Sequence, residues 1–296
     1  MIKKILKKLI KVNGISVLIA AQNEEKTIRL CVESFLEFGD EIIIVTNGST
    51  DNTRDICKEL VKEYPVKVQF YDKPDLPDLY HNRAFALKKS KYRWIMRGDA
   101  DFIAYTAEDG KEHDIINIRK VILKTSPFYP TLFSFKFVNL SYDFIYCRKD
   151  KIEYGQRLLS YDTPLGTIPN HRVYLNTWLL QFKRLGRWEG TPYLKLYRKI
   201  KISQPYFFHC TIKTDKDLFY RTERTNWREL GNYNKYPTLE SYIFKYVLKK
   251  MDMSLEEAIK EYIDKSVLPS LEKYDENKFL PYPKSIKKVI DDKIKS

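Results

Sequence analysis

The sequence has few cysteines, no long apolar run and no glycine-rich phosphate loop. Its four cysteines are scattered over 296 residues without a C-x-x-C pair, which argues against a structural zinc site and against a disulfide framework. Cys31 and Cys57 fall on the apolar faces of predicted helices, so we expect reduced, buried thiols. No apolar stretch approaches the roughly 18 residues of a membrane-spanning helix, and the N-terminus lacks the continuous apolar core of a signal peptide. These absences predict a cytoplasmic protein.

Neither G-x-G-x-x-G nor G-x-x-x-x-G-K-[ST] occurs, which argues against dinucleotide-binding and P-loop enzymes. What is present is an ample core and a strong positive charge. Apolar residues make up 43% of the chain and charged residues 31%. The formal net charge is +14, which favours anionic partners such as phosphorylated small molecules, lipid headgroups or nucleic acid.

Lysines concentrate at both ends of the chain. Residues 1–14 are predicted to form a basic amphipathic helix, because apolar residues recur there at helical spacing. Such a helix can lie at the inner face of an anionic membrane, and it can equally pack on its own domain or on a second copy. Residues 231–296 are predicted to form a basic helical extension, in which the proline-interrupted tail from 268 is either a loose arm or a second anchor.

The first hundred residues alternate between strand and helix patterns. The predicted strands cover residues 15–21, 41–46, 66–71 and 92–96, and helical stripes separate them. This alternation predicts a parallel, right-handed α/β sheet. Ligands of open α/β sheets bind beyond the carboxyl ends of the strands. The polar residues expected at that edge are Gln22, Asn23, Asn47, Asp99 and Asp101. Asn23 is also predicted to cap the helix that follows the first strand.

Asp99 and Asp101 follow the fourth predicted strand. On extended backbone their i, i+2 spacing places both side chains on the same side. Two converging carboxylates repel each other unless a cation lies between them, and such hard oxygen ligands suit Mg²⁺ or Mn²⁺. The alternative is that both acids cap a turn or the next helix.

The pattern is looser beyond Asp101. Residues 141–191 show no clear period and are predicted to be substrate-facing loops around one helix. The other predicted elements are helices over 113–124, 215–230, 238–250 and 254–263, the last capped by Ser254, and strands over 131–140, 193–197 and 206–211.

Three segments together resemble family 2 glycosyltransferases of the GT-A fold. They are the first strand with its following turn (residues 17–25), the G-S-T-D-N-T turn after the second strand (within residues 45–53), and the D-A-D sequence of residues 99–101. The resemblance is strong over residues 15–102 and weaker to about residue 230.

This resemblance implies a GT-A-like three-layer α/β sandwich with a mostly parallel central sheet and a helical C-terminal extension. Residues 15–230 would be the glycosyltransferase domain, with a nucleotide-binding half (15–102) and an acceptor half (103–230). The implied activity is metal-dependent transfer of a sugar, with inversion, from a nucleoside-diphosphate sugar to an acceptor hydroxyl. The acceptor would be a glycan, a glycolipid or a cell-envelope polysaccharide, and the cofactor Mn²⁺ or Mg²⁺.

The resemblance also implies residue roles. Asp101 would ligate the cation, and Asp99 would reach the ribose or the metal. His209 would be a further metal ligand, or else a hydrogen-bonded core histidine between aromatic residues. The residues implied to bind the donor are Ala20, Gln22, Glu24, Asn47, Ser49, Asn82, Arg83, Asp99 and Lys213.

Two positions depart from the family pattern. Thr46 and Asn47 stand where many members carry two acids, and His81 stands where an arginine is usual. An amide can still donate and accept hydrogen bonds, so the identity of the nucleobase stays open.

Sugar transfer to a hydroxyl needs a general base within hydrogen-bond reach. The candidates in the acceptor half are Glu189, Asp143 and Asp162, and each is otherwise an ordinary surface acid. Glu189 is favoured because the neighbouring Trp188 can stack on a sugar ring.

Other functional classes were weighed against this one. A sugar-nucleotide nucleotidyltransferase needs a glycine-rich basic loop directly after the first strand, where this chain has residues 20–23, A-A-Q-N. A nucleic-acid-binding module would explain the positive charge, but the lysines do not gather on one reading element, so we expect no nucleic-acid partner. A non-catalytic nucleotide-binding module would leave Asp99 or Asp101 without a cation.

Overall fold

A central β-sheet begins with four parallel strands, as the strand–helix alternation predicts. The computed structural model describes residues 12–76, 79–125, 131–148, 159–165, 198–229 and 232–295. The chain order of the strands is β1 Val12–Ala21, β2 Glu41–Thr46, β3 Val68–Asp72, β4 Tyr92–Asp99, β5 Phe102–Ala104, β6 Thr131–Ser141, β7 Tyr146–Arg148, β8 Leu159–Leu165, β9 Arg198–Ile202, β10 Phe207–Thr211 and β11 Leu271–Lys273.

Helices follow most of the strands in the first half of the chain. The α-helices are α1 Ile28–Ser34, α2 Thr53–Glu63, α3 Leu79–Lys89, α4 Ile116–Lys124, α5 Asp215–Glu229, α6 Leu239–Tyr242, α7 Leu248–Met251, α8 Leu255–Tyr262 and α9 Lys284–Lys295. One π-helical turn, Ile243–Val247, joins α6 to α7, and a second, Ile263–Val267, follows α8.

The described strands of the main sheet run in the order β3-β2-β1-β4-β8-β6-β10-β5, and β9 pairs with β6. The pairs β1–β2, β1–β4 and β2–β3 are parallel. The pairs β4–β8, β6–β8 and β5–β10 are antiparallel. The predicted fold class, a mixed α/β structure with a mostly parallel central sheet and a helical C-terminal region, is confirmed.

Apolar side chains cover both faces of the parallel strands, which is why β1 and β2 are continuous apolar runs. On one face, Val17 and Ile19 of β1 join the cluster that includes Cys31 of α1. On the other face, Leu18 packs in the cluster that includes Ala86 of α3. All four cysteines are free and buried, as expected for Cys31 and Cys57.

The described residues divide into two compact units. The first contains residues up to 139, from 159 to 210 and from 275 onwards. The second contains residues 140–148, 211–229 and 232–274, with its own apolar cluster around Phe219 and Ile243 and the antiparallel pair β7–β11. The predicted domain boundaries, after residues 14 and 230 with a division into halves after 102, stay predictions.

The C-terminal tail is folded, in contrast to the predicted loose arm. It contains β11 and α9, and the backbone N–H of Lys284 donates to Asp109 Oδ1 at 2.6 Å within the first unit. No helix among the described residues is long and apolar enough to span a membrane.

Several predicted elements need correction. The N-terminal helix prediction over residues 1–14 is wrong for residues 12–14, which begin β1; residues 1–11 lie outside the described residues. The strands β5, β7, β8, β9 and β11 were not predicted. Three of them, β5, β7 and β11, are only three residues long, whereas β9 alternates lysine and isoleucine over residues 199–202 and its signal was missed. The predicted strand over 193–197 lies outside the described residues. Ser254 caps α8 as predicted, accepting from the backbone N–H of Glu257.

Candidate functional site

Two loops at the carboxyl ends of β1 and β2 are tied together by hydrogen bonds between side chains and backbone. Asn23 has a φ of 55°, and its Oδ1 accepts from the backbone N–H of Thr50 at 2.9 Å. Its own backbone N–H donates to Ser49 Oγ at 3.2 Å. Glu24 N–H donates to Thr53 Oγ1 at 2.7 Å. The G-S-T-D-N-T turn is therefore locked against the first-strand loop, and Gly48 within it takes the left-handed φ of 72°.

These contacts correct the predicted role of Asn23. The sequence suggests that Asn23 caps the first helix, but α1 begins at Ile28 with Thr27 before it. Asn23 instead fastens one loop to the other, since its left-handed backbone turns the side chain towards Thr50. Of the predicted donor-binding residues, Ser49 and Glu24 lie in this locked pair of loops, and Gln22 joins them by donating from Nε2 to Asn47 O at 3.0 Å.

Asn47 and Asn82 form an amide pair beside these loops. Asn82 Nδ2 donates to Asn47 Oδ1 at 2.9 Å, and Asn82 is buried. Thr46, at the other position where the family carries an acid, is also buried and donates to Asp72 Oδ1 at 2.9 Å. The substituted positions thus belong to an internal hydrogen-bond network, while an ion pair of 2.6 Å joins Arg54 to the second oxygen of Asp72.

Asp99 pairs with Arg83 at the end of β4. The guanidinium NH2 of Arg83, on α3, donates to Asp99 Oδ1, and the side chains are 3% and 28% exposed respectively. Ala20 is the register partner of Asp99 on β1, so this predicted donor-binding residue lies directly beside the carboxylate's strand. The predicted residues Ala20, Arg83 and Asp99 are therefore brought together.

Asp101 is in contact with His209. The distance from His209 Nε2 to Asp101 Oδ2 is 3.3 Å, and the backbone N–H of Cys210 donates to Asp101 O at 2.7 Å. His209 lies on β10 opposite Phe102 of β5. On its other side, His209 Nδ1 is 3.1 Å from Asn139 Oδ1 on β6. Two strands, β6 and β10, and the turn between β4 and β5 thus contribute to one polar cluster of Asn139, His209 and Asp101.

A carboxylate beside an imidazole is a donor set that fits Mn²⁺ or a similar divalent cation. Asp101 and His209 meet this condition, whereas the Asp99 carboxylate is already paired with Arg83. Among the described residues, no group of three His, Cys, Asp or Glu side chains is arranged to hold a metal ion. The predicted set of Asp99, Asp101 and His209 is therefore not preassembled, and further ligands would have to come from a bound substrate.

The thiols beneath this edge are neutral. Burial raises the pKa of Cys31 and of Cys210 well above the ordinary value, and the negative charge of Asp101 raises both further. Cys31 Sγ donates to the backbone oxygen of Asp99 at 3.5 Å. Neither cysteine is a thiolate that acts as a nucleophile or metal ligand here.

The other predicted site residues are Asp143, Lys213, Asp162 and Glu189. Asp143 and Lys213 belong to the second unit, where Asp143 Oδ1 accepts from the backbone N–H of Phe144 at 2.6 Å. Asp162 is on β8. Glu189 lies outside the described residues. The general base therefore stays a prediction.

Asn139 was missed by the sequence prediction. The signal for it was present: Phe133, Phe135 and Phe137 alternate on one side of the predicted strand, and Asn139 is next in the same register. A buried amide that continues an aromatic stripe needs a partner, and that partner is His209.

Comparison with known proteins finds a family model that matches part of the chain. Residues 16–109 match the family model described as Glycosyl transferase family 2. A poly-β-1,6-N-acetyl-D-glucosamine synthase from Staphylococcus epidermidis is 34% identical over 117 residues, covering 34% of this chain and 26% of the synthase. A teichoic acid poly(glycerol phosphate) polymerase from the same species is 29% identical over 92 residues, covering 30% of this chain and 13% of the polymerase.

The solved structures that align with this chain have lower sequence identity to it. A mannosyltransferase from Pyrobaculum calidifontis, in complex with GDP-Man and Mn²⁺, aligns with a TM-score of 0.46 and 12% identity over 90% of this chain and 82% of that one. S. aureus TarS residues 1–349 align with a TM-score of 0.42 and 15% identity over 83% of this chain and 77% of that one. This chain spans about a quarter of the length of the curated synthase it matches. The match to the family model, over residues 16–109, covers the region that carries both loops and the D-A-D sequence.

Proposed function

We propose that this chain transfers a sugar from a nucleoside-diphosphate sugar to an acceptor hydroxyl, with a divalent cation and inversion at the sugar carbon. The observation that carries the proposal is the Asp101–His209 contact at the end of the parallel strands, beside the Arg83–Asp99 pair. Both lie at the sheet edge where open α/β sheets bind ligands. The family match over residues 16–109 supports the same chemistry.

In this proposal, each part of the edge has a role in donor binding. The interlocked loops after β1 and β2 hold the nucleoside, and the Arg83–Asp99 pair lies beside Ala20, where the ribose would pass. Asp101 and His209 would hold Mn²⁺ or Mg²⁺, which neutralises the charge that develops on the departing diphosphate. Water is kept from the base of the cluster because Asp101 is only 8% exposed.

The acceptor half supplies the proton acceptor. A carboxylate must take the proton of the attacking hydroxyl as the new glycosidic bond forms, and Glu189, Asp143 and Asp162 remain the candidates. The positive charge of the chain, +14, favours an anionic acceptor such as a lipid-linked glycan or a cell-envelope polymer at a membrane surface.

A panel of nucleotide-sugars tests the proposal. Each donor is incubated with the full chain and Mn²⁺, and release of free nucleoside diphosphate is measured. We expect release with one base–sugar combination, loss of release on addition of a chelator, and loss in Asp101→Ala with an unchanged circular dichroism spectrum. Asp55→Ala is the matched control, because Asp55 is an exposed carboxylate paired with Lys58 on α2. Full release by Asp101→Ala would contradict the metal role.

The same panel separates the alternative classes. A sugar-nucleotide nucleotidyltransferase would form pyrophosphate from a nucleoside triphosphate and a sugar phosphate, and would release no nucleoside diphosphate. A non-catalytic module would bind nucleoside diphosphates in calorimetry without turnover. Salt-sensitive binding to RNA or DNA in place of donor turnover would indicate a nucleic-acid-binding module.

A further inference from the structure

The amide of Asn139 faces one ring nitrogen of His209. Asn139 lies near the end of β6, is 6% exposed, and places Oδ1 at 3.1 Å from His209 Nδ1. An amide oxygen only accepts hydrogen bonds, so Nδ1 donates to it and carries a proton. On the other side of the ring, the Asp101 carboxylate lies 3.3 Å from Nε2, and a divalent cation bound between these two groups would take the place of a proton on Nε2.

Two aromatic rings fix the plane of the same imidazole. The ring centroids of Phe102 and Phe137 lie 5.0 Å and 5.6 Å from that of His209, with interplanar angles of 76° and 87°. These edge-to-face contacts limit rotation of the ring. They do not distinguish its two nitrogens, because a hydrocarbon ring offers no acceptor. The hydrogen bond with Asn139 favours a proton on Nδ1, which leaves Nε2 as the nitrogen that can bind a cation.

We propose that Asn139 is a positioning residue, which holds His209 as the Nδ1–H tautomer so that Nε2 and the Asp101 carboxylate bind one divalent cation together. This inference rests on the proposed function, since it takes the Asp101 cluster to be the cation site. Histidine ligands in metal sites donate their other N–H to a carbonyl or carboxylate, and removing that partner lowers metal affinity about 10–100-fold.

A double-mutant cycle tests whether Asn139 acts through His209. Mn²⁺ is titrated calorimetrically into the full chain in the presence of UDP, and in a second series GDP, for wild type, Asn139→Leu, His209→Ala and the double variant. We expect Asn139→Leu to weaken Mn²⁺ binding about 10–100-fold and to cause no further loss in the His209→Ala background, because the two residues share one effect.

Each other outcome of the cycle contradicts a defined part of the reasoning. Wild-type affinity in Asn139→Leu, or an equal loss with and without His209, overturns the positioning role alone. Equal Mn²⁺ affinity in wild type and His209→Ala overturns the role of His209 as a ligand, and with it this inference, while leaving an Asp101 cation site standing. No Mn²⁺ binding by the wild type with either nucleotide overturns both the inference and the metal-dependent function.

Asn139→Asp and Asn117→Leu are the control variants. Asn139→Asp keeps an acceptor for Nδ1–H, so Mn²⁺ affinity should be retained; its effect in the His209→Ala background measures the added charge by itself. Asn117→Leu removes an amide hydrogen bond on α4, from Nδ2 to Lys111 O at 2.6 Å, and should leave Mn²⁺ affinity unchanged. Should Asn139→Leu fail to fold, Asn139→Ser shortens the side chain and removes the same acceptor.

The tautomer itself can be measured without metal or donor. Nitrogen-15 NMR distinguishes protonated from unprotonated ring nitrogens, and His209→Ala identifies the His209 signals among the four histidines. We expect a protonated Nδ1 in wild type and in Asn139→Asp, whether or not Nε2 also carries a proton towards Asp101, and a lower protonation of Nδ1 in Asn139→Ser. An unprotonated Nδ1 in the wild type, or an unchanged spectrum in Asn139→Ser, overturns the inference.

Discussion

Replacing Asp99 by alanine should destabilise the fold as well as the site. Arg83 is 3% exposed, whereas its partner Asp99 is 28% exposed. Removing the Asp99 carboxylate takes away the negative charge that is paired with the buried guanidinium of Arg83. Breaking a fully buried ion pair in this way lowers the free energy of unfolding by about 3–5 kcal/mol. Because Asp99 is partly in contact with water, we expect about 2–3 kcal/mol, which corresponds to a melting temperature lowered by about 4–10 °C.

The matched variant is Arg83→Met, which removes the buried charge and keeps the apolar stem. The Asp99 carboxylate that remains is reached by water, so Arg83→Met should cost less than Asp99→Ala. The double variant should recover much of the loss, since neither charge is left behind. Urea unfolding of all four proteins, compared at constant m-value, measures these free energies. An unchanged midpoint for Asp99→Ala, or additive losses in the double variant, would refute the reasoning.

Three further changes test other parts of the structure. Gly14→Ala should cost about 1–3 kcal/mol in urea unfolding, because an added Cβ would lie 2.4 Å from Tyr92 Cδ1 and 2.7 Å from Asp40 Oδ2; wild-type stability would contradict this contact. Burial raises the pKa of Glu223 above its ordinary value of 4.5, so ionisation opposes folding and this contribution to stability is lost as pH rises. Glu223→Gln should therefore stabilise the protein at pH 7, with a gain that disappears below the ordinary pKa; an equal gain at both pH values would count against burial as the cause. Burial also raises the pKa of the Cys57 thiol to about 12, so alkylation near pH 8 should require unfolding, and rapid labelling of this residue in the native protein would show that it is exposed.

The strands and helices of the first half could be predicted because their signals are local. β1 from Ile15 onwards and β2 are mostly apolar and buried on both faces, and their helices carry apolar stripes of helical period. The parallel direction of these strands followed from this alternation, and so did the placement of Gln22, Asn47 and Asp99 at one edge.

The loops were harder because their hydrogen bonds join residues far apart in sequence. Asparagine is common at helix N-caps, but the side chain of Asn23 accepts a hydrogen bond from Thr50, which is 27 positions away on another loop. The strands β7 and β11 were also missed, because three-residue strands are stabilised by their neighbours in the sheet and are too short to show a pattern of their own.

The sequence by itself determined the α/β class, the sheet edge that carries the polar residues and the two acids at the end of β4, since apolar periodicity and capping chemistry are properties of adjacent residues. Only the tertiary structure decided the partners of those acids. Asp99 lies against Arg83, and Asp101 lies against His209, 108 positions away, which in turn is held by Asn139. These pairings depend on which strands lie side by side, and long-range strand pairing is decided by the packing of the whole sheet.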